Sequence, residues 1–266
     1  MRQNVLTKED CYILRKAWEN IKQLKSLHIE FRQGMKMNEN LTDIFSILLK
    51  RIQEIEELDI DFTFVFLGDQ TDSIIGFCGI FLSNIINLKT LRLGFEGTKI
   101  SKRSLKTLLK CIKGFSQKLI ELELNLSDNE VTDNDILSLF DSMPHMETFA
   151  LGLGKTQITD KTIENLSLAL KDMKALKDLS LYIWEVNITA KKIFEILKNT
   201  LNLSRLKLYV TKVEVNDQLL IEFEKDLLPK MNNLKQLFFL FDKGITEEGR
   251  SLQNKLNRRF FYKRRK

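Results

Sequence analysis

Proline is nearly missing from this chain, with two in 266 residues, and glycine, cysteine and histidine are sparse at eleven, three and two. With so few breakers no Pro/Gly/Ser-rich stretch could serve as a linker, and residues 24–245 read as one domain. No run of about 18 or more apolar residues occurs, so no helical membrane span is expected. The start, Met1 to Asn20, carries Glu9, Asp10 and Glu19 and lacks an apolar core, which argues against a secretory signal. Cys11, Cys78 and Cys111 are scattered and odd in number, which fits reduced thiols better than a disulfide framework. An intracellular place follows, cytoplasmic or associated with an organelle or the cytoskeleton. The sequons at Asn40, Asn125, Asn165, Asn187 and Asn202 then carry no meaning.

The residue types that carry chemistry are equally thin. His28 and His145 lie far apart with no Cys or His at ligand spacing, so no metal site is expected. Gly152-Leu-Gly154-Lys155-Thr156 imitates the end of a phosphate-binding loop, but the position that needs a further Gly holds Phe149. No nucleophile can be paired with a base, and Glu57, Asp59 and Asp61 read as charges on a strand face. No enzyme, no cofactor and no small-molecule ligand is expected.

What the chain does have is one phrase, repeated eight times: a leucine, two residues, a leucine, then apolar residues at every second place. It begins with Leu24/Leu27/Ile29/Phe31, Ile55/Leu58/Ile60/Phe62, Leu88/Leu91/Leu93/Phe95 and Leu119/Leu122/Leu124/Leu126. It ends with Met146/Phe149/Leu151/Leu153, Leu176/Leu179/Leu181/Ile183, Leu203/Leu206/Leu208/Val210 and Leu234/Leu237/Phe239/Phe241. The copies start 31, 33, 31, 27, 30, 27 and 31 residues apart. A period of this size signals a solenoid, whose units bury their apolar faces only against their neighbours.

The alternating stretch predicts a strand with one buried face. After it, Val131-Thr132-Asp133 and Ile158-Thr159-Asp160 supply helix starts, in which a Thr or Asp oxygen accepts from free first-turn amides. Ile136/Leu139/Phe140/Met143 and Ile163/Leu166/Leu170 then follow helical spacing. Residues 1–23 read as a helical half-repeat, residues 24–245 as eight repeats, and residues 246–266 as a final helix with a basic tail.

On these residues the chain resembles the leucine-rich-repeat family, nearest to its ribonuclease-inhibitor-like class, from residue 1 to about 260. The resemblance implies an α/β solenoid arc with a parallel sheet on the concave face, helices on the convex face, and protein binding through the sheet. The family's usual Asn after the strand is mostly replaced, by Arg32, Thr63, Glu96, Ser127, Gly154, Trp184, Thr211 and Asp242, and an Asn follows later only at Asn129. No stacked asparagine ladder is expected.

Between the buried strand positions lie the concave residues. The first half is acidic, with Glu57, Asp59, Asp61, Glu121 and Glu123. The fifth repeat is small (Ala150, Gly152, Gly154) and reads as the floor of a groove. The last three repeats offer Tyr182, Trp184, Arg205, Lys207, Tyr209, Phe238 and Leu240, the composition of a protein-binding hot spot. An uncharged helix, Ser73 to Asn87, has apolar residues to spare for a second contact.

Net charge is +6, and it is concentrated. Lys99 to Lys118 holds seven basic residues and no acid, among them Lys102, Arg103, Lys106 and Lys110. The last nine residues hold Arg258, Arg259, Lys263, Arg264, Arg265 and Lys266, with Phe260, Phe261 and Tyr262 expected to pack on the eighth repeat or on a partner. The resulting expectation is a non-enzymatic scaffold within a multi-subunit assembly. The alternative is an RNA- or polyanion-associated subunit gripping phosphates through residues 99–118 and 258–266.

Overall fold

The computed structural model describes residues 8–19, 24–31, 54–65, 79, 82, 85–140 and 143–261. Outside them fall most of the uncharged Ser73–Asn87 segment, Arg32, and the tail residues Tyr262, Lys263, Arg264, Arg265 and Lys266. The chain divides into two compact units, Met1–Glu130 and Val131–Lys266.

In the first unit, helix α1 (Lys8–Glu19) precedes four parallel strands: β1 (Ser26–Glu30), β2 (Glu57–Asp61), β3 (Thr90–Gly94) and β4 (Glu121–Asn125). Helix α2 (Lys102–Phe115) links β3 to β4. The register sets each repeat phrase level with the next, with Leu58 opposite Leu91 and Leu93 opposite Leu124. All four are buried, and burying one leucine side chain is worth about 1.5–3 kcal/mol. The phrase closes in a stack of rings. Phe31 and Phe62 lie 4.6 Å apart with nearly parallel planes, and Phe62 and Phe95 lie 5.5 Å apart.

The second unit repeats the plan with β5 (Thr148–Gly152), β6 (Asp178–Trp184), β7 (Arg205–Glu214) and β8 (Gln236–Lys243), again parallel and in chain order. Its helices are α3 (Asp133–Ile136), α4 (Asp160–Asp172), α5 (Ala190–Leu197), α6 (Asp217–Glu222) and α7 (Glu247–Phe261). Phe194 of α5 meets Phe223, Phe239 and Phe241 here, with ring centres 5.8–6.4 Å apart. Each unit is therefore an α/β repeat array, parallel strands in chain order with helices in the connections, as the period and the alternation imply.

Three details were not legible in the repeat phrase. The first lies two residues past the last buried position of six repeat phrases, in the turn after the strand or, for Lys212, within the irregular end of β7. Phe64, Gly97, Asp128, Lys155, Glu185 and Lys212 share one repeat position, and all have positive φ, between 51° and 68°. Only one is a glycine. Each of the others accepts a left-handed backbone that costs an L-residue on the order of 1 kcal/mol, because the turn must leave the strand within two residues.

The second is the aspartate that opens three of the helices. Thr159 does accept from Lys161 N at 3.3 Å, Ser101 from Ser104 N at 3.2 Å and Asn216 from Leu219 N at 3.1 Å, as caps should. Asp133, Asp160 and Asp217 instead reach across to the next repeat. Asp133 accepts from the amide (2.9 Å) and hydroxyl (2.7 Å) of Thr159 and from the hydroxyl of Thr162 at 2.5 Å. Asp160 takes the Thr189 amide at 2.7 Å and hydroxyl at 2.6 Å, and Asp217 holds Thr246 in the same way. Burial opposes charge on Asp133, but the bonds from Thr162 and Thr159 outweigh it and hold the carboxyl below its ordinary range.

The third is the pair of polar devices that close off layers. Asn129, 5% exposed, donates to the carbonyls of Phe95 (2.7 Å), Ser127 (3.0 Å) and Leu126 (3.1 Å) and accepts from Ile100 N at 3.0 Å. Thr98 and Thr156 occupy the same repeat position and bond only to the end of their own strands, Phe95 O and Leu153 O. Asparagine thus fills this repeat position once, and a hydroxyl fills it at Thr98 and Thr156. At the far edge of β8, α7 does the capping. Asn257 exchanges two hydrogen bonds with the backbone of Phe239 (2.7 and 2.8 Å), and Gln253 accepts from Phe241 N at 2.8 Å. Those groups would otherwise form an unpaired sheet edge.

Candidate functional site

The register of the second unit brings the aromatic candidates onto one solvent face. Tyr182 sits opposite Tyr209, and Tyr209 opposite Leu240. Lys207 pairs with Phe238 and Trp184 with Thr211. The two tyrosine rings lie 6.4 Å apart at 37°. Lys207 Nζ lies 5.8 Å from the centre of the Tyr182 ring and donates to its hydroxyl at 3.3 Å. Phe238 is 42% exposed, and Tyr182, Tyr209 and Leu240 are half-buried.

Two of the candidates take other roles. Arg205 is engaged by Asp178 through both ends of its guanidinium, Nε to Oδ1 at 2.7 Å and the terminal nitrogen to Oδ2 at 2.5 Å. It orders the start of the strands. Trp184 is half-buried on Gly154, where a Cβ would overlap the indole, and Lys155 Nζ stands 5.3 Å from the ring centre. The expected groove floor is therefore filled: Ala150, Gly152 and Gly154 are all buried. Sequence reasoning could have found this packing, because Gly154 and Trp184 hold the same place in adjacent repeats.

On the strands of the first unit the acidic residues meet basic side chains. His28 Nδ1 lies 2.8 Å from Asp59, and Arg92 lies 2.5 Å from Glu121 and 3.8 Å from Glu123. Just before the strands, Lys25 and Lys89 share Glu56 at 3.3 and 2.6 Å. The Lys89 ammonium, followed by Lys25, holds the Glu56 carboxyl below its usual range.

Helix α2 buries Leu105, Leu108, Leu109 and Ile112, and its opposite face carries Lys102, Arg103, Lys106 and Lys110, all exposed. Among the described residues none of these four meets a carboxylate. Arg258 and Arg259 are exposed on α7, while Phe260 is buried at 5% exposure on the chain itself. Cys111, half-buried, has its thiol pushed up by burial, against a smaller opposing effect of Lys110.

A cavity of about 370 Å³ in the second unit had no signal in the repeat phrase. Phe194, Leu219, Phe223 and Leu227 line it, where a π-helical turn, Phe223–Leu227, interrupts the helical layer. Among the described residues no group of three or more His, Cys, Asp or Glu could hold a metal ion. No described helix is long and apolar enough to cross a membrane.

No family model matches the chain, and no curated protein does. Among solved structures it is similar to an internalin (inlF) from Listeria monocytogenes str. 4b F2365, at 16% identity and a TM-score of 0.43, covering 90% of this chain and 61% of that one. It is also similar to a chain of the Rad7 and Elc1 complex of yeast, at 14% identity and a TM-score of 0.42, covering 90% of this chain and 75% of that one.

Proposed function

We propose that this protein is a non-enzymatic interaction scaffold, a subunit of a larger intracellular assembly that docks a protein partner on the solvent face of β6, β7 and β8. One observation carries the reading: Tyr182, Tyr209, Leu240, Lys207 and Phe238 fall in register across three strands, with Phe238 open to solvent. Aromatic and cationic side chains so gathered are the usual anchors of a protein interface. The helices packed behind the strands favour the ribonuclease-inhibitor-like class of repeat. The scattered cysteines, including the free Cys111, favour a reducing compartment.

The test is affinity capture from the native source with mass spectrometry, comparing wild type with Tyr209→Ala/Phe238→Ala. The double variant keeps its melting temperature and loses the principal partner. Co-purification at the wild-type level would retire the proposed surface.

The α2 face favours a second reading, contact with phosphates of RNA or another polyanion, because four exposed cations there share no carboxylate among the described residues. RNA binding that weakens steeply between low and moderate salt, and more weakly for Lys106→Glu/Lys110→Glu, supports it.

A further inference from the structure

Strand β7 presents three cations on its exposed positions, and they differ in what they meet. Arg205 is engaged by Asp178, and Lys212 is ion-paired with Glu185. Lys207, between them, meets no carboxylate among the described residues and rests on the ring and hydroxyl of Tyr182. Lys155 is in the same state, exposed and set against the Trp184 ring, with no carboxylate among the described residues. Tyr182 and Trp184 are two residues apart on β6, on the same face, which sets their backbone positions about 7 Å apart. An ammonium over a ring is held by only ~0.5–1 kcal/mol at an exposed site, so each remains available to an anion.

We infer that this surface receives an acidic peptide segment of a partner protein, with Asp or Glu side chains facing Lys155 and Lys207 and an apolar side chain beyond Lys207, on Tyr209, Leu240 and Phe238. The inference rests on the docking surface proposed above and adds the chemistry of its occupant. Lysine and aromatic residues together would also suit single-stranded RNA, whose bases need open ring faces for stacking. Two of the four rings here are already covered: Trp184 lies on Gly154 with Lys155 over it, and Tyr182 has Lys207 over it, which leaves no continuous run of open rings for successive bases. The carboxylates of Asp178, Glu185 and Asp242 on the same strands, or beside them, oppose a continuous row of phosphates, whereas a peptide can set single carboxylates at Lys155 and Lys207 and place uncharged residues elsewhere.

The probe is a displayed library of random peptides of about 12 residues, selected on the immobilised full chain and sequenced, followed by fluorescence anisotropy with the enriched peptides and with labelled oligouridine. The expected enrichment is in Asp and Glu beside an aromatic or branched aliphatic residue, with no measurable oligouridine binding. Lys155→Glu/Lys207→Glu should weaken those peptides about tenfold, and Lys155→Met/Lys207→Met by less. Tyr209→Ala/Phe238→Ala should weaken them as well, with circular dichroism unchanged in every variant. Selection of neutral or basic peptides, no selection at all, or tighter binding of oligouridine overturns the inference. Peptides lost to Tyr209→Ala/Phe238→Ala but indifferent to the lysine changes would leave the docking surface standing and remove its acidic occupant. Peptides indifferent to both pairs would remove the surface itself.

Discussion

The indole of Trp184 occupies the space that a side chain at Gly154 would fill, thirty positions earlier in the chain, so a residue that looked like a fragment of a phosphate loop is the seat of an aromatic ring. This packing explains the burial of Gly154 and separates Trp184 from the exposed Phe238. It makes Trp184 a structural residue at the margin of the proposed surface.

Gly154→Ala should therefore displace the indole. The expected cost is about 1–3 kcal/mol, the range for an overpacked site. A shift in tryptophan emission measured beside a urea melt tests it. An unchanged spectrum and midpoint would mean that Trp184 does not rest there.

Asn129→Ala should cost about 2–4 kcal/mol, because the carbonyls of Phe95, Leu126 and Ser127 and the amide of Ile100 lose a buried partner together. Asn129→Thr should be milder, since a hydroxyl serves the equivalent place at Thr98 and Thr156. Chemical denaturation orders the three proteins, and equal losses for the two variants would contradict that equivalence.

Asp133 sets an acid limit. Its carboxyl is held below the ordinary value, so its contribution is present above the unfolded-state pKa of about 3.9 and disappears as pH falls through the folded-state value. Melting temperatures taken from pH 6 down to pH 2 should show Asp133→Asn less stable than wild type at the top, with the gap closing in acid. A gap that stays constant would show that the ionised carboxylate contributes nothing.

The capping helix gives a fourth test. Gln253→Ala/Asn257→Ala should expose the Phe239 and Phe241 amides to hydrogen exchange and cost about 1–3 kcal/mol for each buried group left unpaired. Deleting residues 258–266 removes buried Phe260 and should lower the melting temperature, whereas Arg258→Glu/Arg259→Glu should not. If the charge reversal destabilises as much as the deletion, the arginines take part in the fold.

The sequence alone determined the solenoid, the places of the eight strands and the residues on each solvent face. Those follow from a period of two within a strand and of about thirty between strands, and both periods are local counts. The solvent-face positions of Tyr182, Tyr209 and Phe238 could be counted off in that way. Which of those side chains remain available was decided by lateral register alone. Arg205 and Lys207 share a strand and a charge, yet one lies against Asp178 and the other against a ring. Asp133 reads as a cap for its own helix, but its partners Thr159 and Thr162 lie 26 and 29 residues onward. Gln253 and Asn257 carry no repeat signal, and they became a cap because the last strand's free edge needed donors and acceptors that only the folded helix could bring to it. Hydrogen-bond and charge partners are settled by three-dimensional neighbours, because polar groups removed from water must find a complement wherever the fold places one.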